Sequence, residues 1–272
     1  MKIVEFQGGL GNQMFIYSFY KCLKFQGYES KADLNFYNQT DGKYNLHDGF
    51  ELNKVFNLKL NMATPDEIDD VRDNLPLKRY RNKLGLLANG NFIENISRFN
   101  AEVFDEKYIY YSGYFQDERY FEEIKQEIRD TFTFKKTINM GEGSVSIHLR
   151  RTDFIGNPLL GGVADTNYYQ SAISYISSKV KNPKFYIFSD DIEWCKENFK
   201  IDFPHKFIDH TGNESYKDML MMSKCEHNII VNSSFSWWGA WLNNNPDKIV
   251  ICPEKYYKNR DKTPYLEGWI RL

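Results

Sequence analysis

The stretch His148-Leu149-Arg150-Arg151-Thr152-Asp153, directly after Ser144-Val145-Ser146-Ile147, decides how this chain is read. The preceding residues read as a buried strand, which puts the hexapeptide at its C-terminal lip. In open α/β sheets that lip is where ligands bind. An arginine offers a planar fork that takes phosphate oxygens two at a time, and its charge does not titrate away. The pair therefore points to a phosphorylated ligand, most simply a nucleoside diphosphate. Two arginines alone read as a basic pair capping a strand end. The flanking His148 and Asp153, with the lip position, turn the reading toward a site.

Working outward from this strand, apolar runs at 185–188, 205–208, 228–231 and 249–252 alternate with amphipathic segments at 167–180, 192–198, 215–223 and 236–242. Strands spaced by helix-length connections argue a parallel sheet covered on both faces. Right-handed crossovers then give a doubly wound, Rossmann-like domain. Polar lips follow the later strands too: Ser189-Asp190-Asp191, Asp209-His210-Thr211 and Asn232-Ser233-Ser234. Such residues also serve as turn formers and helix caps, but their convergence on one edge favours a site. Asp190 is placed to meet a ribose hydroxyl, and Asp191 reads equally as a cap. In Asn232-Ser233-Ser234-Phe235-Ser236-Trp237-Trp238-Gly239, hydroxyls and free N–H groups at a helix start make an anion pocket. The tryptophans behind them read as core.

The first half is also α/β. A strand at 3–6 leads through Gln7-Gly8-Gly9-Leu10-Gly11-Asn12-Gln13 into an aromatic-rich helix at 14–25 that Gly27 caps. Three glycines in four positions let a backbone approach a ligand closely, or simply make a tight strand–helix turn. The loop lacks the Gly-Lys-Ser/Thr ending of a phosphate loop and the G-x-G-x-x-G spacing. Thr64-Pro65-Asp66-Glu67 is a capping box opening a helix to about residue 75. A strand is expected at 107–114 and a helix at 120–130, with exposed loops at 35–49 and 89–100. The hinge falls at 133–143, dividing a domain at 1–138 from one at 139–255.

The 272 residues carry 35 Lys+Arg against 37 Asp+Glu, so no field-driven attraction to nucleic acid is expected. Cys22, Cys195, Cys225 and Cys252 are scattered without a CxxC pair, which suits buried reduced thiols of a cytosolic protein. No stretch approaches the ~20 apolar residues of a membrane span. The basic cluster Lys78, Arg79, Arg81, Lys83 reads first as a solvated helix face, and second as contact with an anionic acceptor or peripheral contact with a membrane surface. The five histidines show no HExxH pairing and no strict Asp-x-Asp occurs, so a metal site is not expected.

Taken together, Gly8-Gly9-Leu10-Gly11-Asn12-Gln13, His148-Leu149-Arg150-Arg151-Thr152-Asp153, Phe188-Ser189-Asp190-Asp191 and Asn232-Ser233-Ser234-Phe235-Ser236-Trp237-Trp238-Gly239 resemble the α-1,2-fucosyltransferases of glycosyltransferase family 11. The motifs stand in the family's order along essentially the whole chain, and the resemblance is to a bacterial member. It implies a GT-B architecture, two Rossmann-like domains facing across a cleft, with GDP-β-L-fucose on the second and a galactose-bearing acceptor on the first. It also implies metal-independent, inverting transfer to the galactose 2-hydroxyl, with no cofactor, and residues 256–272 crossing back onto the first domain. On this reading Arg151, with Arg150, stabilises charge growing on the departing diphosphate. His148 and Asp153 orient the guanidiniums or touch the nucleotide, and Asp190 selects guanine or binds ribose. Ser233, Ser234 and the N–H of Phe235 hold the diphosphate, Gly9 and Gly11 also bind the donor, and Asn12, a third catalytic residue, lies near the fucose and the acceptor hydroxyl. Asp117, Glu118 and Glu5 are the carboxylates considered as general base.

Overall fold

Every pairing between named strands is parallel, so neither sheet is built from hairpins and each strand end is free to carry a loop. The computed structural model describes residues 1–38, 49–71, 91–94, 99–210, 214–261 and 263–272. It divides into two units, Met1–Thr133 and Phe134–Leu272, a boundary slightly before the one expected from sequence.

In the first unit a 4-stranded sheet has the order β2-β1-β4-β3. Its strands are β1 (Lys2–Glu5), β2 (Ser30–Asp33), β3 (Asn91–Ile93) and β4 (Tyr110–Ser112). Helix α1 (Leu10–Phe25) joins β1 to β2 and is buried almost all round, with Met14, Phe15, Ile16 and Phe19 wholly inside. A helix apolar on every face belongs in the centre of a core rather than on a surface. Gly27, at φ +89, ends it, its N–H bonding the Lys24 carbonyl. Short helices follow at α2 (Leu52–Val55), α3 (Pro65–Val71) and α4 (Lys125–Thr131). The Thr64/Glu67 capping box forms reciprocally, Glu67 N donating to Thr64 Oγ1 and Thr64 N to Glu67 Oε2.

Three expectations change here. The loop at 89–100 contains edge strand β3, paired to β4 through Asn91↔Tyr110. The strand at 107–114 shrinks to Tyr110–Ser112, because Phe115 turns at φ +50 to start a loop. The helix at 120–130 begins as two 3₁₀ turns and becomes α-helical only at Lys125. The basic cluster at 78–83, His47, and most of the loop at 35–49 lie outside the described residues.

The second unit holds a 6-stranded sheet in the order β10-β9-β8-β5-β6-β7. Its strands are β5 (Ser144–Leu149), β6 (Lys184–Ser189), β7 (His205–Ile208), β8 (His227–Ile229), β9 (Val250–Cys252) and β10 (Ile270–Arg271). Counted from β5, this is the 3-2-1-4-5-6 order of the Rossmann fold, with the direction of winding reversing between β5 and β8. Helices α5 (Thr166–Lys179) and α6 (Ile192–Asn198) cover the face presenting Val145, Ile147, Leu149, Phe185 and Ile187. Helices α7 (Tyr216–Lys224) and α8 (Ser234–Trp241) lie on the other face, where Met221 and Met222 pack on Phe188 and Ile208. Gly239 lets α8 touch α7, since a Cβ there would meet Met222 Cβ at 2.8 Å.

The tail packs on this unit. β10 pairs with β9, and the Trp237 indole donates to the Pro264 carbonyl at 2.8 Å. The buried tryptophans of α8 and an open sheet edge thus anchor the segment 256–272 to the second unit. Among the described residues no helix is long and apolar enough to cross a membrane.

Gln13 ties the glycine loop to the first unit's core. Wholly buried, it donates to the Gly8 and Gly49 carbonyls and accepts from the N–H groups of Glu51 and Leu52. Replacing it with leucine strands those buried groups, so Gln13→Leu is expected to cost roughly 2–4 kcal/mol in denaturant unfolding. A loss below about 1 kcal/mol contradicts that role.

Candidate functional site

The point where winding reverses, between β5 and β8, is where an open α/β sheet leaves a crevice beyond its strand ends. The twin-arginine loop leaves β5 at this point and Asn232-Ser233-Ser234 leaves β8. The two motifs singled out in the sequence are thus neighbours in the sheet, though far apart in the chain.

Both arginines are held in the same way. Arg150 Nε donates to Asp153 Oδ1 at 2.7 Å and lies 3.3 Å from Asp190 Oδ2. Arg151 Nε donates to Asp191 Oδ2 at 3.2 Å, and its guanidinium carbon lies 3.3 Å from the Trp194 ring centroid. Among the described residues no acceptor takes a terminal nitrogen of either guanidinium. The Nε positions are spent on carboxylates, and the forked ends are left for a ligand.

Asp190 holds the loop itself. Its carboxylate accepts from Arg151 N at 2.9 Å and from Thr152 N at 3.1 Å, and also from the Thr152 hydroxyl. Burial disfavours its ionisation, but the Arg150 charge and these hydrogen bonds outweigh that and hold it below the usual carboxylate range. Whatever it contacts in a ligand, Asp190 thus serves the loop first, with three accepted hydrogen bonds. Asp191 caps α6 through Trp194 N and anchors Arg151 at once. Its cap and anchor roles coexist.

On the α7/α8 side lies His148. Its ring is buried, 5.9 Å from Phe235, and its Nδ1 has no hydrogen-bond partner. At the β8 end, Asn232 donates to the Leu160 and Tyr256 carbonyls, while its Oδ1 is likewise buried and unpaired among the described residues. Leaving such groups unmet costs about 1–3 kcal/mol each. Two of them on either side of the reversal point mark a place built for something polar. Ser233 caps α8, its Oγ accepting from Phe235 N at 3.3 Å, which leaves the hydroxyl hydrogen to give away. Ser234 is the first residue of that helix, where backbone N–H groups favour an anion.

On the opposite, α5/α6 side, a cavity of about 530 Å³ opens beneath the 150–165 loop, walled by Leu149, Arg151, Phe154, Tyr169, Trp194 and Val231. Nothing in the sequence sets Trp194 and Tyr169 apart from the chain's many other aromatic residues. Among the described residues no group of three or more His, Cys, Asp or Glu is arranged to hold a metal ion.

The remaining expected residues belong to the first unit. There, at the C-terminal ends of the neighbouring strands β1 and β4, Glu5 Oε2 accepts from the Ser112 hydroxyl at 2.6 Å. Asn12 Oδ1 accepts from Gln116 Nε2 at 2.7 Å, and Gly9 forms the N-cap of α1 with Gly11 in its first turn. Asp117 is chelated by the Arg119 guanidinium at 2.8 and 2.6 Å, and Glu118 is paired with Lys125 at 2.7 Å. Those ion pairs occupy two of the three carboxylates expected as base. Glu94, overlooked in the sequence, shapes this lip by accepting from Tyr114 N and Phe115 N.

Burial and the nearby Arg150 charge push the His148 pKa down to about 3. Its neutral form therefore supports folding fully above pH 6.5, and that support fades as pH falls from 6.5 toward 3. Long-range ¹H–¹⁵N spectra are expected to keep the His148 ring in its neutral pattern at pH 5. An imidazolium pattern at that pH contradicts the burial argument.

The sequence profile described as glycosyl transferase family 11 matches residues 89–272. An alpha-1,2-colitosyltransferase of Escherichia coli is 33% identical over 99% of this chain and 98% of its own. A mouse galactoside alpha-(1,2)-fucosyltransferase 1 is 26% identical over 62% of this chain and 52% of its own. The crystal structure of the fucosyltransferase NodZ from Bradyrhizobium superposes with a TM-score of 0.50 at 11% identity, covering 88% of this chain and 92% of that one. The fold is thus of the GT-B class, and the chain belongs to glycosyltransferase family 11.

Proposed function

We propose that the protein transfers L-fucose from GDP-β-L-fucose to the 2-hydroxyl of a terminal galactose in a glycan, with inversion and without a metal. The observation that carries this reading is the pair of arginines at the reversal point, each anchored through Nε with its terminal nitrogens open. As the bond from fucose C1 to oxygen breaks, negative charge grows on the β-phosphate. Fixed donors aimed at that charge lower the barrier without reorganising. Arg150 and Arg151 supply the permanent charge, and Ser233, Ser234 and the N–H groups opening α8 supply neutral donors. His148 enters as a neutral imidazole, bonding or shaping rather than adding charge. Nucleophilic attack needs a proton acceptor for the galactose hydroxyl, either a phosphate oxygen or a carboxylate. Glu5, the last residue of β1, is the carboxylate we assign to that role.

A second reading rests on the colitosyltransferase relative: the donor sugar is colitose, the 3-deoxy form of L-fucose. A site that hydrogen-bonds a substrate hydroxyl rejects the analogue lacking it by several orders of magnitude, whereas an apolar wall does not. The donor preference therefore identifies which sugar the site was shaped for.

Purified protein incubated with lactose and GDP-fucose, in the presence of a chelator, is expected to release GDP and give an α-1,2-linked product by NMR. Arg150→Ala and Arg151→Ala should each lose roughly 3–4 kcal/mol of transition-state stabilisation, about 10²–10³-fold in kcat. Arg151→Lys should lose much of the same, since an ammonium cannot replace the fork. Turnover that needs added manganese, or folded alanine variants with near-normal rates, overturns this mechanism.

A further inference from the structure

Arg151 is fixed by a closed arrangement that the catalytic role of an arginine does not by itself demand. Asp191 and Trp194 stand one turn apart on α6. Trp194 N donates to Asp191 Oδ1, Asp191 Oδ2 accepts from Arg151 Nε, and the Trp194 indole carries the guanidinium at 3.3 Å. The backbone of Arg151 is held separately by Asp190. A long arginine side chain has about 2 kcal/mol of rotamer freedom to lose, which here is already lost before a ligand arrives. At 3.3 Å from the ring centroid an edge-on guanidinium would drive its N–H groups into the indole, so the contact favours stacking and constrains the plane of the fork without occupying its N–H groups. A second carboxylate in that place would neutralise the charge and consume the terminal nitrogens.

We propose that Trp194 is a positioning residue for the donor diphosphate, setting the plane of the Arg151 fork so that both terminal nitrogens point to one phosphate. This rests on the function proposed above. Its consequence is that Trp194 contributes to GDP binding only through Arg151, although its ring also lines the cavity beside it. The aromatic face is the property that matters, and the apolar bulk is not.

The test is a double-mutant cycle read by calorimetric titration with GDP alone, which needs no acceptor. Trp194→Leu is expected to raise the Kd for GDP about tenfold, the weight of a stacked cation in a partly covered site. Trp194→Phe, which keeps a π-face, should stay within about threefold of wild type. In the Arg151→Ala background, Trp194→Leu should add less than about twofold, because the group it orients is gone. Thermal unfolding checks that each variant is folded, and Trp194→Met takes the place of the leucine variant should that one fail to fold. A tenfold loss that persists in the Arg151→Ala background overturns the proposal, as does a leucine variant that binds like wild type. Wild-type protein that does not bind GDP at all is a different result, overturning the proposed function and this role together.

Discussion

The site depends on one carboxylate. Asp190, at the end of β6, collects the Arg151 and Thr152 backbone N–H groups and the Thr152 hydroxyl, and stands 3.3 Å from Arg150. Without it, the chain leaving β5 has no reason to turn there rather than run on into solvent, and the two guanidiniums share no frame. Its interactions outweigh a burial penalty that on its own would favour the neutral acid. The loop is therefore organised by charge at a place where the sheet contributes only strand ends.

The local charge count sharpens what that frame does. Asp153, Asp190 and Asp191 surround Arg150 and Arg151, so the cluster is not a basic patch. Affinity for an anion cannot come from a net positive field here. It must come from direction: open guanidinium ends, a capped helix start, and buried polar atoms with nothing to bond. Such fixed donors act strongly in a site shielded from water, where the effective dielectric is low. The near-neutral total charge of the chain agrees with recognition by geometry rather than by long-range attraction.

The sequence was legible where chemistry and strand ends coincide. The lips after β5 and β8 could be read because an unusual residue set follows an apolar run, and the sheet order then makes them neighbours. The part Asp190 plays in holding the loop is not legible, because its donors there are backbone N–H groups that no residue letter reveals. Asp117 looked available for the same reason, its partner Arg119 being an ordinary surface residue two positions away. Strand β3 escaped notice at three residues, too short to show a period. The pairing of Ile270–Arg271 with β9 is a tertiary event that two residues cannot announce.

The first unit shows how a motif can divide its work. Asn12 and Gln13 are adjacent, yet Gln13 is wholly buried and bonded to two carbonyls and two N–H groups, whereas Asn12 reaches Gln116 at the strand-end lip. Gly8 completes the division: at φ +76 it adopts a backbone that side chains resist, and an added Cβ would come within 2.7 Å of the Asn12 amide nitrogen. Gln13 therefore fixes the loop and Gly8 makes room, so that Asn12 can be presented. Across the same lip Phe115 is held at φ +50 although its ring is buried and stacked on Phe19 at 4.1 Å. Glu94 accepts from the N–H groups of both Tyr114 and Phe115, which offsets the cost of that conformation. Strain of this kind persists only where the surroundings over-determine it, and here it turns the chain so that Gln116 meets Asn12. The two units thus reach the same solution by different means, a carboxylate gripping backbone N–H groups at a strand end to present a neighbouring side chain.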